Sequence, residues 1–253
     1  MKLLLLQTDI AWADREANLL CATQMIASSP TTDLIVLPEM FTTGFATEPA
    51  GIAERDGDTL SWMQQQASQT GAAIVGSVAV EERGMFYNRL FFVKPDGSYA
   101  TYDKRHLFSF AGEDKHYTSG TKRVVVEWAG FRILVQVCYD LRFPVFARWQ
   151  GDYDMIVYVA NWPAARIDVW NTLLRARAIE NASWVVAVNR VGRDPYKDYP
   201  GCSQVVDFKG HVVARAASDT PEAVFVEIDR ESLDTFRHKF PVLSDADRFK
   251  LNL

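Results

Sequence analysis

The chain of 253 residues is 48% apolar and 23% charged, the profile of an ordinary water-soluble globular protein. Its 27 basic and 32 acidic residues leave a net charge of −5, and no run of Lys or Arg could neutralise a row of phosphates, which excludes nucleic acid as a partner. The longest unbroken apolar stretches, such as 3–6 and 156–160, fall far short of the roughly 20 residues of a membrane span, and the Leu run after Lys2 is too short for a secretory signal, which points to the cytoplasm.

In chain order, an apolar run predicts a strand over 3–8. Asp14 can cap a helix reaching about residue 28, with Ala17, Cys21 and Met25 at i, i+4 and i+8 on its apolar face. A strand over 34–37 precedes a helix over 59–70 that Gly71 closes. Strands follow over 73–80 and 89–93, then the Asp96-Gly97 turn signal and a strand-like segment over 98–102. Strands over 124–127 and 132–137 lead to a short helix after Pro144, a strand over 155–160 and a helix over 166–181. The last third reads as strands over 184–189, 203–206 and 224–228, a hairpin at Lys209-Gly210, and a helix over 230–239. Many of the strands are continuous β-branched or Leu-rich runs, as strands covered on both faces are. The pattern predicts a mixed α/β (α+β) chain whose sheet combines crossovers with hairpins. With no internal repeat, low-complexity tract or linker, one domain over 1–253 is the simplest organisation.

Cys21, Cys138 and Cys202 are odd in number and widely spaced, which is neither a disulfide framework nor a zinc knuckle. His106, His116, His211 and His238 form no close ligand pair, so no metal site is expected. Three other positions carry chemistry. Cys138 closes an apolar strand and begins a turn toward a helix, a placement that projects a nucleophile into the crevice beyond strand ends and aims backbone N–H groups at an oxyanion. Glu39 follows the apolar run 34–37 and Pro38, and Lys104 follows the strand-like segment 98–102. A neighbouring ammonium lowers a thiol's pKa and can stabilise a tetrahedral oxyanion, while a carboxylate can take the thiol proton and return it to a leaving amine. Cys, Lys and Glu are therefore sufficient for acyl transfer from an amide through a thioester. Taken singly, each has a plainer reading as a buried thiol, a solvated loop acid or an exposed base.

The segments 34–41 (LIVLPEMF), 102–108 (YDKRHLF), 137–144 (VCYDLRFP), 158–163 (YVANWP), 175–181 (RARAIEN) and 187–192 (AVNRVG) fall in the order found in the nitrilase superfamily of carbon–nitrogen hydrolases, which the chain resembles over most of its length. The resemblance implies Glu39 as general base, Lys104 as the oxyanion-stabilising lysine and Cys138 as nucleophile. It also implies a second, assisting glutamate seven residues before a glycine, a spacing that Glu113 and Gly120 match. The implied fold is a four-layer α-β-β-α sandwich, paired through helices into an eight-layer homodimer. Within 166–181, Val169, Leu173, Ala176 and Glu180 lie on one stripe, widened by Trp170, Leu174 and Ala178. Glu180 on that stripe calls for a partner, such as Arg177 or a group from a second chain.

Tyr139-Asp140 after the cysteine resembles the amidase-like branches of the superfamily rather than true nitrilases, which carry Trp-Glu there. The segments VCYDLRFP, ANWP and DKRHLF most resemble bacterial omega-amidases acting on 2-oxoglutaramate and 2-oxosuccinamate, with departures at Val145 and Phe208. Such a substrate needs a cation for its distal carboxylate. Arg142 can supply a bidentate fork, or can pair with Asp140 or Glu39 instead. Trp162 either walls the acyl pocket or belongs to the core, and the Tyr139 N–H joins Lys104 at the oxyanion. The resemblance calls for no metal, nucleotide or organic cofactor. Another amidase of the superfamily, for carbamoyl amino acids or aliphatic amides, is the alternative, followed by an inactive dimeric scaffold or sensor.

Overall fold

The computed structural model describes residues 1–251. The chain first lays down β1 (Lys2–Gln7), α1 (Arg15–Ala27), β2 (Leu34–Val36), α2 (Asp58–Thr70), β3 (Ala73–Glu82), β4 (Met85–Val93) and β5 (Tyr99–Asp103). It continues through β6 (Val125–Trp128), β7 (Phe131–Val137), α3 (Pro144–Ala147), β8 (Met155–Ala160), α4 (Ile167–Glu180) and β9 (Trp184–Asn189). The remainder is β10 (Val191–Arg193), β11 (Asp198–Pro200), β12 (Gln204–Val206), β13 (Val212–Arg215), β14 (Glu222–Glu227) and α5 (Arg230–Lys239).

Two six-stranded sheets result, ordered β14-β1-β2-β3-β4-β5 and β13-β12-β9-β8-β7-β6, with β10 and β11 pairing apart from them. Each sheet has three parallel neighbours at its heart, β1-β2-β3 in one and β7-β8-β9 in the other. Each is flanked by one antiparallel strand on one side and two on the other. The two sheets thus share one pattern of pairing, a repetition of topology that the residues themselves do not repeat.

The alternating faces of the strands sort the apolar residues into layers. Leu3, Leu5, Val36 and Val75 of the first sheet meet Val135, Val157 and Val186 of the second in one buried cluster, which places the sheets face to face. Leu4, Ile35 and Ile74 face outward onto Ala22 and Ile26 of α1 and Met63 and Ala67 of α2. On the opposite side Leu134, Ile156 and Tyr158 face Trp170, Leu174 and Ala178 of α4. The layers run α-β-β-α, as the sequence resemblance implied.

Asp14 caps α1, accepting from the Ala17 N–H at 3.0 Å. The inward face of that helix is Asn18, Ala22 and Ile26, one residue out of phase with the predicted Ala17, Cys21 and Met25. Asn18 moves the face. Its amide donates to the carbonyls of Ala11 and Thr42, both at 2.8 Å, so a polar side chain takes a buried position that apolar periodicity assigns elsewhere. On α4 the buried face is Trp170, Leu174, Arg177 and Ala178, whereas Val169, Leu173, Ala176 and Glu180 are only half-buried. The buried ion there is Arg177, which pairs with the half-exposed Glu180 at 2.9 Å and donates to the Leu141 carbonyl at 2.6 Å.

Candidate active site

Parallel strands deliver the residues that follow them to one end of a sheet, and two face-to-face sheets bring two such ends together. Glu39 follows β2, Cys138 follows β7 and Asn161 follows β8, while Lys104 follows β5. Glu113 opens a 3₁₀ turn over Glu113–Lys115 in the loop after Lys104. Gly120, seven residues on, donates its N–H to the Lys104 carbonyl at 2.9 Å, and a Cβ there would overlap the Asp103 backbone. Only glycine lets that loop fold back onto β5 and set Glu113 beside Lys104.

Glu39, Lys104 and Glu113 are fully buried and bonded to one another. The Lys104 ammonium lies 2.9 Å from Glu39 Oε1 and 2.9 Å from Glu113 Oε2. Asn88 of β4 donates to Glu39 Oε1 at 2.8 Å and to Glu113 Oε1 at 3.2 Å. The backbone N–H of Asn161 donates to Glu39 Oε2 at 2.8 Å, and that of Phe108 to Glu113 Oε2 at 2.5 Å. Glu39 thus has one oxygen on the lysine and the other on the backbone, while Glu113 turns both oxygens to the lysine and holds Oε2 on the backbone as well, leaving neither carboxylate free to swing.

Cys138 opens the 3₁₀ turn Cys138–Arg142 with φ of 47°, a left-handed conformation that costs a non-glycine residue energy and exposes its side chain at the bend. Asp140 holds the turn. It accepts from the Val137 N–H at 2.9 Å, the Tyr102 hydroxyl at 2.8 Å and the His106 N–H at 3.0 Å, with His106 Nδ1 at 2.7 Å. His106 stacks on Phe143 at 3.9 Å, so it is a structural clamp. The Tyr139 N–H lies in the first turn after the bend, where amides lack partners within the helix.

Burial pushes the Cys138 thiol well up, and the Glu39 charge adds to that, while Lys104 and a backbone hydrogen bond with Asn161 oppose them without prevailing. The sequence expectation that the neighbouring ammonium lowers the thiol describes one contribution and not the net direction. Lys104 does pull in that direction, but its charge is already spent on two carboxylates. Burial alone would lower the lysine; Glu113 and Glu39 outweigh it and hold the ammonium above its ordinary value. Burial and repulsion from Glu39 likewise raise Glu113, against the pull of Lys104. The set is thus a protonated thiol beside a carboxylate, not a preformed thiolate.

Cys138 and Lys104 look into a pocket enclosing about 370 Å³, mouth included. Tyr139 and Trp162 line it; Trp162 also belongs to the buried cluster against α4 and is locked by a bond from its indole N–H to the Arg166 carbonyl at 2.7 Å. Arg142 faces the pocket with its guanidinium 5.3 Å above the Trp162 ring, and among the described residues it pairs with neither Asp140 nor Glu39. Both of those acids are filled by other donors. The sequence reading missed Asn88, Asn161, Phe45, Phe108, Arg166, Lys197 and Tyr199. The ANWP segment signalled Asn161, whereas Arg166 and Lys197 sit in loops whose charges carry no local pattern.

The chain matches the carbon-nitrogen hydrolase family model over residues 3–238. It is 47% identical over 252 residues to omega-amidase YafV of Yersinia enterocolitica, covering 99% of this chain and 98% of that one. It is 33% identical over 247 residues to 2-oxoglutaramate amidase of Bacillus subtilis, covering 95% of each. Its structure superposes on that of XC1258 from Xanthomonas campestris, a CN-hydrolase superfamily protein with an arsenic adduct in its active site. The TM-score is 0.96 at 42% identity, over 100% of this chain and 99% of the other.

Proposed function

The chain belongs to the carbon-nitrogen hydrolase family, and on that premise we propose that it is an omega-amidase, releasing ammonia from the terminal amide of 2-oxoglutaramate or 2-oxosuccinamate. It is a hydrolase of amide C–N bonds. The observation that carries the substrate reading is the unpaired Arg142 in the same pocket as Cys138 and Lys104, a cation waiting for a carboxylate. The omega-amidase and 2-oxoglutaramate amidase relatives support it.

Glu39 takes the Cys138 proton as sulfur attacks the amide carbonyl, so charge separation happens only when substrate is present. Lys104 and the Tyr139 N–H hold the developing oxyanion. The C–N bond breaks as Glu39 returns the proton to the leaving ammonia. Water, deprotonated by Glu39, then attacks the thioester, and the acid departs as the C–S bond breaks and Glu39 gives the proton back to the Cys138 sulfur. Glu113 fixes Lys104 and orders amide and water, and Trp162 walls the acyl chain. We read the chain as one domain over 1–253, which the pairing of β14 with β1 supports. A homodimer through α4 fits its half-buried Val169, Leu173 and Ala176. A cytoplasmic setting suits three unpaired cysteines in a chain that has, among the described residues, no helix long and apolar enough to cross a membrane.

The test is ammonia release from 2-oxoglutaramate, beside a carbamoyl amino acid, an aliphatic amide and a nitrile, with Cys138→Ala as blank. Turnover of the oxo-acid amide above the others is the expected result. Preference for any of the others removes the omega-amidase reading.

A further inference from the structure

Two more cations enter the pocket besides Arg142. Arg166 closes the 3₁₀ turn Ala164–Arg166 that leads into α4, and Lys197 sits in the loop between β10 and β11. Their charges lie 5.1 Å and 5.6 Å from the centre of one ring, that of Phe108. Among the described residues neither side chain has an ion pair or a hydrogen bond. Of the two acids flanking Lys197 in the chain, the exposed Asp198 pairs with Arg193 at 3.7 Å, and Asp194 is taken: its carboxylate accepts from the N–H groups of Tyr196 and Lys197, both at 2.7 Å, and from the Tyr199 hydroxyl at 2.6 Å. Burial lowers Lys197, and Arg166 lowers it further, so the two like charges feel one another. The Phe108 face offsets part of that repulsion. Asp194 pulls Lys197 the other way through space, but among the described residues no acid is in contact with either cation, and one carboxylate on Arg142 would leave Arg166 and Lys197 still without an ion pair.

We propose that Arg166 and Lys197 form a charge filter at the substrate's second carbon, accepting a 2-oxo oxygen as hydrogen-bond donors and repelling the 2-ammonium of the corresponding amino-acid amide. The idea rests on the omega-amidase reading and deepens it. 2-Oxoglutaramate and glutamine share chain length, amide and carboxylate, and differ only at that carbon. A site that binds the carboxylate alone cannot separate them; a site with surplus positive charge beyond the carboxylate can, because selectivity is set by what the wrong ligand meets.

Two readouts on the full chain test it: kcat/KM for 2-oxoglutaramate and glutamine, and the concentrations of 2-oxoglutarate and glutamate that protect Cys138 from iodoacetamide at mildly alkaline pH. Lys197→Met and Arg166→Met keep the stem over Phe108 and remove the charge. Each should lower kcat/KM for 2-oxoglutaramate roughly tenfold and narrow the preference over glutamine by about as much. Lys197→Glu should narrow it on the order of 100-fold. The preference in protection should narrow in step. If every variant slows both substrates by one common factor and leaves relative protection unchanged, the filter is wrong. The two readouts separate the two claims. Wild-type turnover of 2-oxoglutaramate with an unmoved preference removes the filter and keeps the function. Absent turnover with 2-oxoglutarate protecting far better than glutamate, and Lys197→Met abolishing that, removes the function and keeps the filter. Arg166 and Lys197 lie on separate segments, so a folding failure in one variant leaves the other to decide.

Discussion

The two ends of the pocket handle charge in opposite ways. At the inner end every ionised side chain is matched: one lysine lies between two glutamates, each also tied to a backbone N–H and to Asn88, with full burial throughout. At the outer end Arg142, Arg166 and Lys197 face the same space with aromatic rings beneath them and, among the described residues, no ion pair to an acid. The matched end is rigid because breaking any one bond would strand a buried ion, which costs several kcal/mol. The unmatched end is incomplete until a ligand arrives. Groups that move protons need fixed geometry, whereas groups that select a substrate need unspent interactions, and this chain puts them at opposite ends of one cavity.

Substitutions at the inner end should therefore change kcat, and those at the outer end KM. The largest effect belongs to Cys138→Ala: ammonia release falls to the blank, while the thermal midpoint moves by no more than a few degrees, since only sulfur is lost. Full turnover by that variant would move the nucleophile elsewhere. Next comes Glu39→Gln, which keeps an oxygen for Asn88 and Lys104 but cannot accept the thiol proton; kcat should drop by roughly 10²–10⁴-fold with KM nearly unchanged. An equal loss through KM alone would blur the division between the ends. At the outer end Arg142→Met should raise KM for 2-oxoglutaramate about tenfold or more with kcat within a factor of about two. A kcat collapse there would mean that the rim positions the reacting amide.

The smallest effect sharpens the inner end. Because burial and Glu39 raise the Cys138 thiol, its thiolate fraction at neutral pH lies below that of an ordinary cysteine. Iodoacetamide labelling of the free enzyme should accordingly be slower than that of a free cysteine at pH 7, and should still be climbing where the free thiol levels off, above about pH 8.5. Labelling faster than free cysteine at pH 7 would show a resting thiolate and overturn the reading of the proton's place.

The inner end was largely legible in the sequence and the outer end was not. Glu39, Lys104 and Cys138 each end an apolar strand run, and strand ends are where mixed sheets place chemistry, so position and residue type reinforced one another. Glu113 needed the spacing to Gly120, whose backbone approach to Asp103 explains the glycine. Arg166 and Lys197 sit in loops about 30 residues apart, brought to one ring by tertiary packing that periodicity does not encode. The thiol's direction was misread for a related reason: the sequence shows that a lysine is near, but not that two carboxylates already hold it. The out-of-phase face of α1 came from Asn18, a polar residue buried by hydrogen bonds to loops. Individual strands were visible where runs were long, whereas three-residue pairs such as β10 and β11 carry too few residues for a pattern.

The pairing of β1 with β14 has a consequence for how the protein is made. Lys2–Gln7 lies between Leu34–Val36 on one side and Glu222–Glu227 on the other, so one flank of a strand with four consecutive leucines stays open until β14 has emerged. At synthesis rates of roughly 5–20 residues per second, that exposure lasts about 10–45 s on the ribosome. An unsatisfied edge of Leu3, Leu4, Leu5 and Leu6 invites pairing with other nascent chains during that interval. Ribosomes stalled between β13 and β14 should hold chains that a chaperone still binds, and release of a few dozen further residues should let the first sheet close.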